Sequence, residues 1–260
     1  MPPPTTALLS LTPQRGLLPL LTHTLPWSSA LHDALVKTSD DGHGRGSSPC
    51  FSGRDDIGNP LTNHQHAFLL PMALETGDAV DHFLIHARMT FDPSARAALM
   101  RVNRLWVESS SPTLHVDFLA LGLRDDFAHR IPALGRALTW ASMTPFVPVR
   151  HPKPRGRNTL EEQIQEELVD RGFPRAVRVE IDTEGNGFQL AASVGAAVST
   201  QTPFVGAKRW RGFRLERDAD AGKPPVRMAY GLRLTFGEAV SGPIALGYAS
   251  HFGLGLLVPA

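Results

Sequence analysis

Short apolar runs with strand-like alternation, two helical stripes and long polar turns set the plan of the chain. Residues 6–11 and 16–25 are the first apolar runs, the second broken by Pro19, and either is a candidate first strand. Over residues 26–37, Leu31, Ala34 and Leu35 share one face at helical spacing, flanked by His32 and Val36, which predicts a helix. Residues 38–63 have the turn chemistry of a long loop, and a connection of that length in a compact domain is uncommon, reading either as a functional loop or equally as a mobile excursion. Residues 64–71 alternate His66, Phe68 and Leu70 against Gln65, Ala67 and Leu69, the period of a strand. A turn over 75–81 leads to a second strand over 82–88, so the pair reads as a hairpin. Asp92 and Pro93 open a helix whose predicted buried stripe is Leu99, Val102, Leu105 and Trp106. Residues 113–122 close this half as a strand, with Leu114, Val116, Phe118 and Ala120 on one face.

Strand, helix, strand, strand, helix, strand is the ferredoxin-like order, in which two helices cover one face of an antiparallel sheet. A second unit follows the same plan. Residues 130–141 are indeterminate, 143–150 read as a proline-limited edge strand, and 150–157 as a basic, proline-rich loop. Asn158 with Glu161 predicts a capping box for a helix that buries Leu160, Ile164 and Leu168 and stops at Gly172. Strands are expected over 176–182, 207–217, 226–236 and 254–258. The expected fold is therefore α+β, two tandem ferredoxin-like domains over residues 1–125 and 126–260. In the second, the glycine-rich loop within 241–260 stands where a covering helix belongs.

Composition narrows the class. An apolar fraction of 42% supports a full core, and a net charge of +1 means that any polyanion surface depends on local clustering. The lone Cys50 excludes an internal disulfide and fits a reducing, cytoplasmic location. No apolar run reaches the ~20 residues of a membrane helix, and the N-terminus lacks a signal-peptide pattern, so no membrane partner is expected. Eleven histidines are a more pointed feature, because imidazole exchanges protons near neutral pH.

Lys208, Arg209, Arg211, Arg214 and Arg217 interleave with Trp210 and Phe213, a pattern that neutralises phosphates and offers rings for base stacking, or else protects an edge strand. Arg150, Lys153, Arg155 and Arg157 form a second basic patch on a loop that proline stiffens. Gly242, Gly247, Gly253 and Gly255 surround His251, either as backbone that approaches phosphate closely or as a plain glycine-rich turn leading into a final strand. His64, His66, His82 and His86 lie on the two predicted hairpin strands. Three readings of them stand: an acid/base pair for metal-free RNA cleavage, zinc ligands, or hydrogen-bonded structural histidines. The glycines of 42–46 lack the Lys-Ser/Thr of a phosphate-binding loop, and no Gly-x-Ser-x-Gly elbow occurs.

Residues 21–26, 52–71, 80–87, 140–153, 160–172 and 241–255, in that order, resemble the type I-G (formerly I-U) CRISPR-associated RAMP proteins. In that family a repeat-RNA processing endoribonuclease is commonly fused to the subunit that holds the crRNA 5′ end, and this chain resembles the processing half. The resemblance implies tandem ferredoxin-like folds, a glycine-rich loop that contacts RNA at Gly247, His251, Gly253 and Gly255, and cleavage of precursor CRISPR RNA without metal or cofactor. The products would carry a 5′-hydroxyl and a 2′,3′-cyclic phosphate. Such enzymes place a histidine in or soon after the first helix, which points to His32 and His43 beside the more distinctive His64 and His66. His251 or a nearby arginine is the expected stabiliser of the phosphorane charge. Repeat RNA or crRNA is the implied partner, with other subunits of a type I-G interference complex. A non-catalytic crRNA-binding subunit is the alternative.

Overall fold

Ten strands form two five-stranded antiparallel sheets in the computed structural model, which describes residues 2–40, 46–107, 110–183, 210–217 and 223–260. The first half runs β1 (Thr6–Pro13), α1 (Thr24–Ser39), α2 (Pro49–Ser52), β2 (Phe68–Met72), β3 (His82–His86), α3 (Pro93–Arg101), β4 (Arg104–Val107), β5 (Ser110–Gly122) and α4 (Arg124–Phe127). The second half runs β6 (Arg136–Ser142), α5 (Leu160–Asp170), β7 (Arg178–Asp182), β8 (Gly231–Ser241), β9 (Ile244–Ala245) and β10 (Leu256–Pro259). Sheet orders are β2-β3-β1-β5-β4 and β7-β8-β6-β10-β9. Without the added edge strands β4 and β9, both sheets have the same ferredoxin-like order, so the fold is a tandem of two such units.

The period of two decides which face of the first sheet is covered. Ala7, Leu9 and Leu11 of β1, with Phe83 and Ile85 of β3, share one buried cluster with Leu25, Leu31 and Leu35 of α1 and Ala95 and Leu99 of α3. Each fully buried leucine contributes about 1.5–3 kcal/mol by leaving water. That cluster also takes in Phe252, Leu254, Leu256 and Val258 from the end of the chain, so the units share apolar packing. A second cluster lies behind β8, where Leu232, Leu234 and Phe236 meet Ile164 and Leu168 of α5 and Trp140 of β6.

Several elements differ from the sequence reading. The central strand of the second sheet is β6, not residues 143–150. Its Leu138 is exposed while Trp140, two residues on, is fully buried, because a register shift between Ala137 and Thr139 interrupts the alternation. Trp106 belongs to β4 and faces outward, while Leu105 and Val107 point inward, so the α3 stripe stops short of it. The α5 cap sits one residue later than expected. Thr159 Oγ1 accepts from Glu162 N at 3.2 Å, and the Glu162 carboxylate accepts from Asn158 N at 2.6 Å. The described part of the 38–63 loop is organised by α2 and by Asp55, whose Oδ1 accepts from Ile57 N and Asn59 N. Asp92 caps α3 as expected, accepting from Ala95 N at 2.9 Å with Pro93 in the first turn.

The helix missing from the second unit is replaced by β9 and a short 3-10 turn over Ser250–Phe252, between β8 and β10. Glycine is required here by packing. A Cβ on Gly255 would lie 1.9 Å from the Leu246 carbonyl oxygen, and one on Gly253 2.4 Å from Pro71 Cδ.

Candidate active site

The 3-10 turn carries His251 onto the start of β2. Its ring stacks between two partners, His66 at a centroid distance of 3.8 Å and Phe68 at 3.9 Å. His251 Nδ1 lies 3.1 Å from the Ala67 carbonyl oxygen, and His251 Nε2 lies 2.9 Å from His64 Nδ1. On the other side of the turn, the Arg217 guanidinium sits 3.6 Å above the Phe252 ring, and His32 of α1 approaches that ring at 5.3 Å. The fold thus brings together His32, His64, His66 and His251.

Hydrogen-bond chemistry fixes the protons. A carbonyl oxygen only accepts, so His251 Nδ1 carries its hydrogen. Burial, with the neighbouring His66, pushes the His251 pKa down to about 2, so the ring is neutral and Nε2 is a bare acceptor. His64 Nδ1 must then donate to it. That leaves His64 Nε2 with a free lone pair on a half-buried ring, the arrangement of a general base. Burial lowers the His64 pKa, and the Arg171 charge lowers it further. Burial likewise takes His66 down to about 4, and its Nδ1 is buried without a partner. His64 itself lies ahead of β2 in a left-handed conformation, φ 49°, rather than in the strand that period-two spacing suggested.

The other candidates separate. His43, Lys208 and Arg209 lie outside the described residues. His82 donates to Asp81 at 2.7 Å, and His86 Nδ1 pairs with Thr6 Oγ1 at 3.0 Å, so both are held within the first sheet. Residues 210–212 form a 3-10 turn instead of a strand. Trp210 is buried with its indole N–H donating to Asp182 at 2.8 Å, and Phe213 is buried too, so neither ring is open to a base. Arg211 and Arg214 are exposed, and Arg214 N donates to the Thr22 carbonyl just before α1. Arg150 is engaged by Glu166 at 3.0 Å, whereas Lys153 and Arg155 are exposed.

The glycine N–H groups are also committed within the protein. Gly242 donates to Gly135 O, Gly247 to the Glu167 carboxylate, Gly253 to Ser250 O and Gly255 to Pro145 O. Each of these donors is bonded within the protein, and Gly247 and Gly253 flank the turn that presents His251. Both ring nitrogens of His251 are engaged, Nδ1 by the Ala67 carbonyl and Nε2 by His64, and burial lowers its pKa. Among the described residues, no group of three or more His, Cys, Asp or Glu is arranged to hold a metal ion. No described helix is long and apolar enough to cross a membrane.

Fold and site together define a two-unit ferredoxin-like protein with a histidine cluster at the turn replacing its fourth covering helix. Solved structures similar to it include a CRISPR-associated protein Cas6, with TM-score 0.45 and 11% identity over 98% of this chain and 99% of that one. A Cas6-related protein from Pyrococcus furiosus has TM-score 0.44 and 9% identity over 98% of this chain and 97% of that one. A Cas6 product complex has TM-score 0.38 and 15% identity over 98% of this chain and 99% of that one. No family model and no curated protein sequence matches the chain.

Proposed function

We propose that this chain is a metal-independent endoribonuclease that cuts the repeat of precursor CRISPR RNA, with His64 as general base. The observation that carries the reading is the forced tautomer of His64, whose Nε2 lone pair is open while Nδ1 is tied to His251. The substrate class follows from the type I-G resemblance of residues 52–71 and 241–255, which hold both histidines. His64 Nε2 takes the proton from a ribose 2′-hydroxyl, and the 2′-oxygen attacks the adjacent phosphorus. The bond from phosphorus to the 5′-oxygen breaks, and a proton delivered to that oxygen completes the step. The fragments carry a 2′,3′-cyclic phosphate and a 5′-hydroxyl, so atoms and charge balance without an added reactant. His32, across the turn, is the candidate acid. Arg217, held over the Phe252 ring, is the candidate cation for the phosphorane charge. Exposed Arg211, Arg214, Lys153 and Arg155, with Lys208 and Arg209 in the adjoining segment, supply phosphate contacts along the strand.

Incubation with end-labelled repeat RNA in EDTA tests the reading. Cleavage to a cyclic-phosphate product is expected. RNA that is bound but left whole overturns it in favour of a non-catalytic crRNA-binding subunit, and cleavage only with added metal overturns the mechanism.

A further inference from the structure

The turn that carries His251 is held from one side by an ion pair at the end of α5. Glu167 Oε2 accepts from Gly247 N at 2.7 Å and pairs with Arg171 Nη1 at 2.6 Å. Arg171 Nη2 donates to Ser250 Oγ at 3.0 Å, one residue before His251. Both ends of the Gly247–Ser250 segment are therefore pinned to a single pair of side chains. The Arg171 carbonyl accepts from Arg88 just beyond β3, which ties the same helix end to the first unit.

Stability alone explains this pair poorly. Arg171 is almost wholly buried, and its Nε is buried with no partner. A buried ion pair with an orphaned N–H recovers its desolvation cost badly, and an apolar pair of similar size would do as well or better. Between the two pinned points, Ala249 has φ 54°, a left-handed conformation disfavoured for a residue with a Cβ. Such a conformation persists where its surroundings over-determine it. The Glu167 and Arg171 bonds supply that constraint.

We propose that Glu167 and Arg171 are positioning residues that hold the Gly247–Ser250 segment so that His251 meets His64 in one orientation. Their bonds act through His251, which fixes the His64 tautomer, the Arg171 charge also reaches His64 directly, and neither side chain touches substrate. The inference rests on the nuclease reading for its consequence, but the clamp itself is a property of the free protein.

Three measurements on one set of variants test it: single-turnover cleavage of repeat RNA, affinity for that RNA, and the ring-nitrogen NMR signals of His251 without RNA. Removing both charges together, in the Glu167→Ala/Arg171→Met double variant, avoids leaving a lone buried charge. The rate is expected to fall on the order of 10- to 100-fold, the scale of a misplaced catalytic group. RNA affinity should stay within about twofold, because only the reacting geometry is lost. His251 should change from a single Nδ1–H pattern to tautomer averaging. Arg171→Lys, which keeps the charge opposite Glu167, should restore part of the rate. If the double variant does not fold, Ser250→Ala removes one anchor alone and should show the same changes in milder form. A wild-type rate, or an unchanged single-tautomer pattern, overturns the clamp. Should the unaltered protein cleave no RNA, the nuclease reading falls, and the His251 signals still decide the clamp.

Discussion

His64 Nδ1 lies 2.9 Å from His251 Nε2, across 187 residues of chain and between the two ferredoxin-like units. Because His251 Nδ1 is spent on the Ala67 carbonyl, this contact has one proton arrangement, and it leaves His64 Nε2 as the open base. His64→Ala should slow cleavage at least about 10²-fold while RNA affinity holds, since it deletes a proton acceptor and little surface. Full activity in that variant would move the base to His32 or to His43.

His251→Phe separates stacking from hydrogen bonding. Phenylalanine keeps a ring against His66 and Phe68 but offers no acceptor to His64. We expect a rate loss on the order of 10- to 100-fold with a stable fold, because the base is then free to rotate and change tautomer. Single-turnover kinetics alongside thermal unfolding check both halves; an unaltered rate would show that His251 only fills space.

Much of this was legible in the chain, and the misses have physical causes. The strand-helix-strand-strand order and the vacancy for a covering helix followed from periodicity, and the glycine spacing marked the turn. His64, His66 and His251 were each visible as candidates. Their meeting was not, because it depends on two segments 187 residues apart that only the tertiary packing of β2 against the turn brings together. The alternating cations and rings of 208–217 suggested a strand facing RNA. The rings of Trp210 and Phe213 are instead consumed by the core, so alternation there reports burial rather than a stacking platform. Nor does glycine content distinguish backbone open to a ligand from backbone that must pass close to its own neighbours. Nothing in the sequence singles out Glu167 and Arg171, since i, i+4 spacing does not reveal that the pair is buried.

Cleavage should depend on pH in a direction set by His64. The base works only when unprotonated, and burial with the nearby Arg171 charge holds its pKa below the usual 6.5. The acid limb of kcat/KM should therefore have its midpoint below pH 6.5. A midpoint at or above 6.5 would mean that another group accepts the proton.

Stability should fall on mild acidification. His86, held down to about 4 by burial and the nearby Arg124 and Arg88 charges, and His251, at about 2, stay neutral in the fold. Unfolded, each binds a proton once the pH drops below about 6.5. Their contribution is thus whole above pH 6.5 and is lost as pH falls toward the folded-state values. Each group costs about 1.4 kcal/mol per pH unit within that window. Urea midpoints measured from pH 7 to pH 4.5 should decline; a flat profile would mean that these rings are protonated in the fold.

Glycine substitutions distinguish architecture from ligand contact in the turn. Gly255 has φ 65° and no room, since an added Cβ meets the Leu246 carbonyl oxygen at 1.9 Å. Gly16 has φ 83° and open space, so it isolates the conformational cost alone. Gly16→Ala should cost about 1 kcal/mol, the ordinary penalty for a side chain in the left-handed region. Gly255→Ala adds displacement of backbone beside β9 and β10 and should cost more than about 4 kcal/mol, in the range reserved for severe backbone conflict. If Gly255→Ala were instead as stable as Gly16→Ala and failed only in RNA affinity, close approach of RNA, rather than the protein's own packing, would be the reason for the glycine.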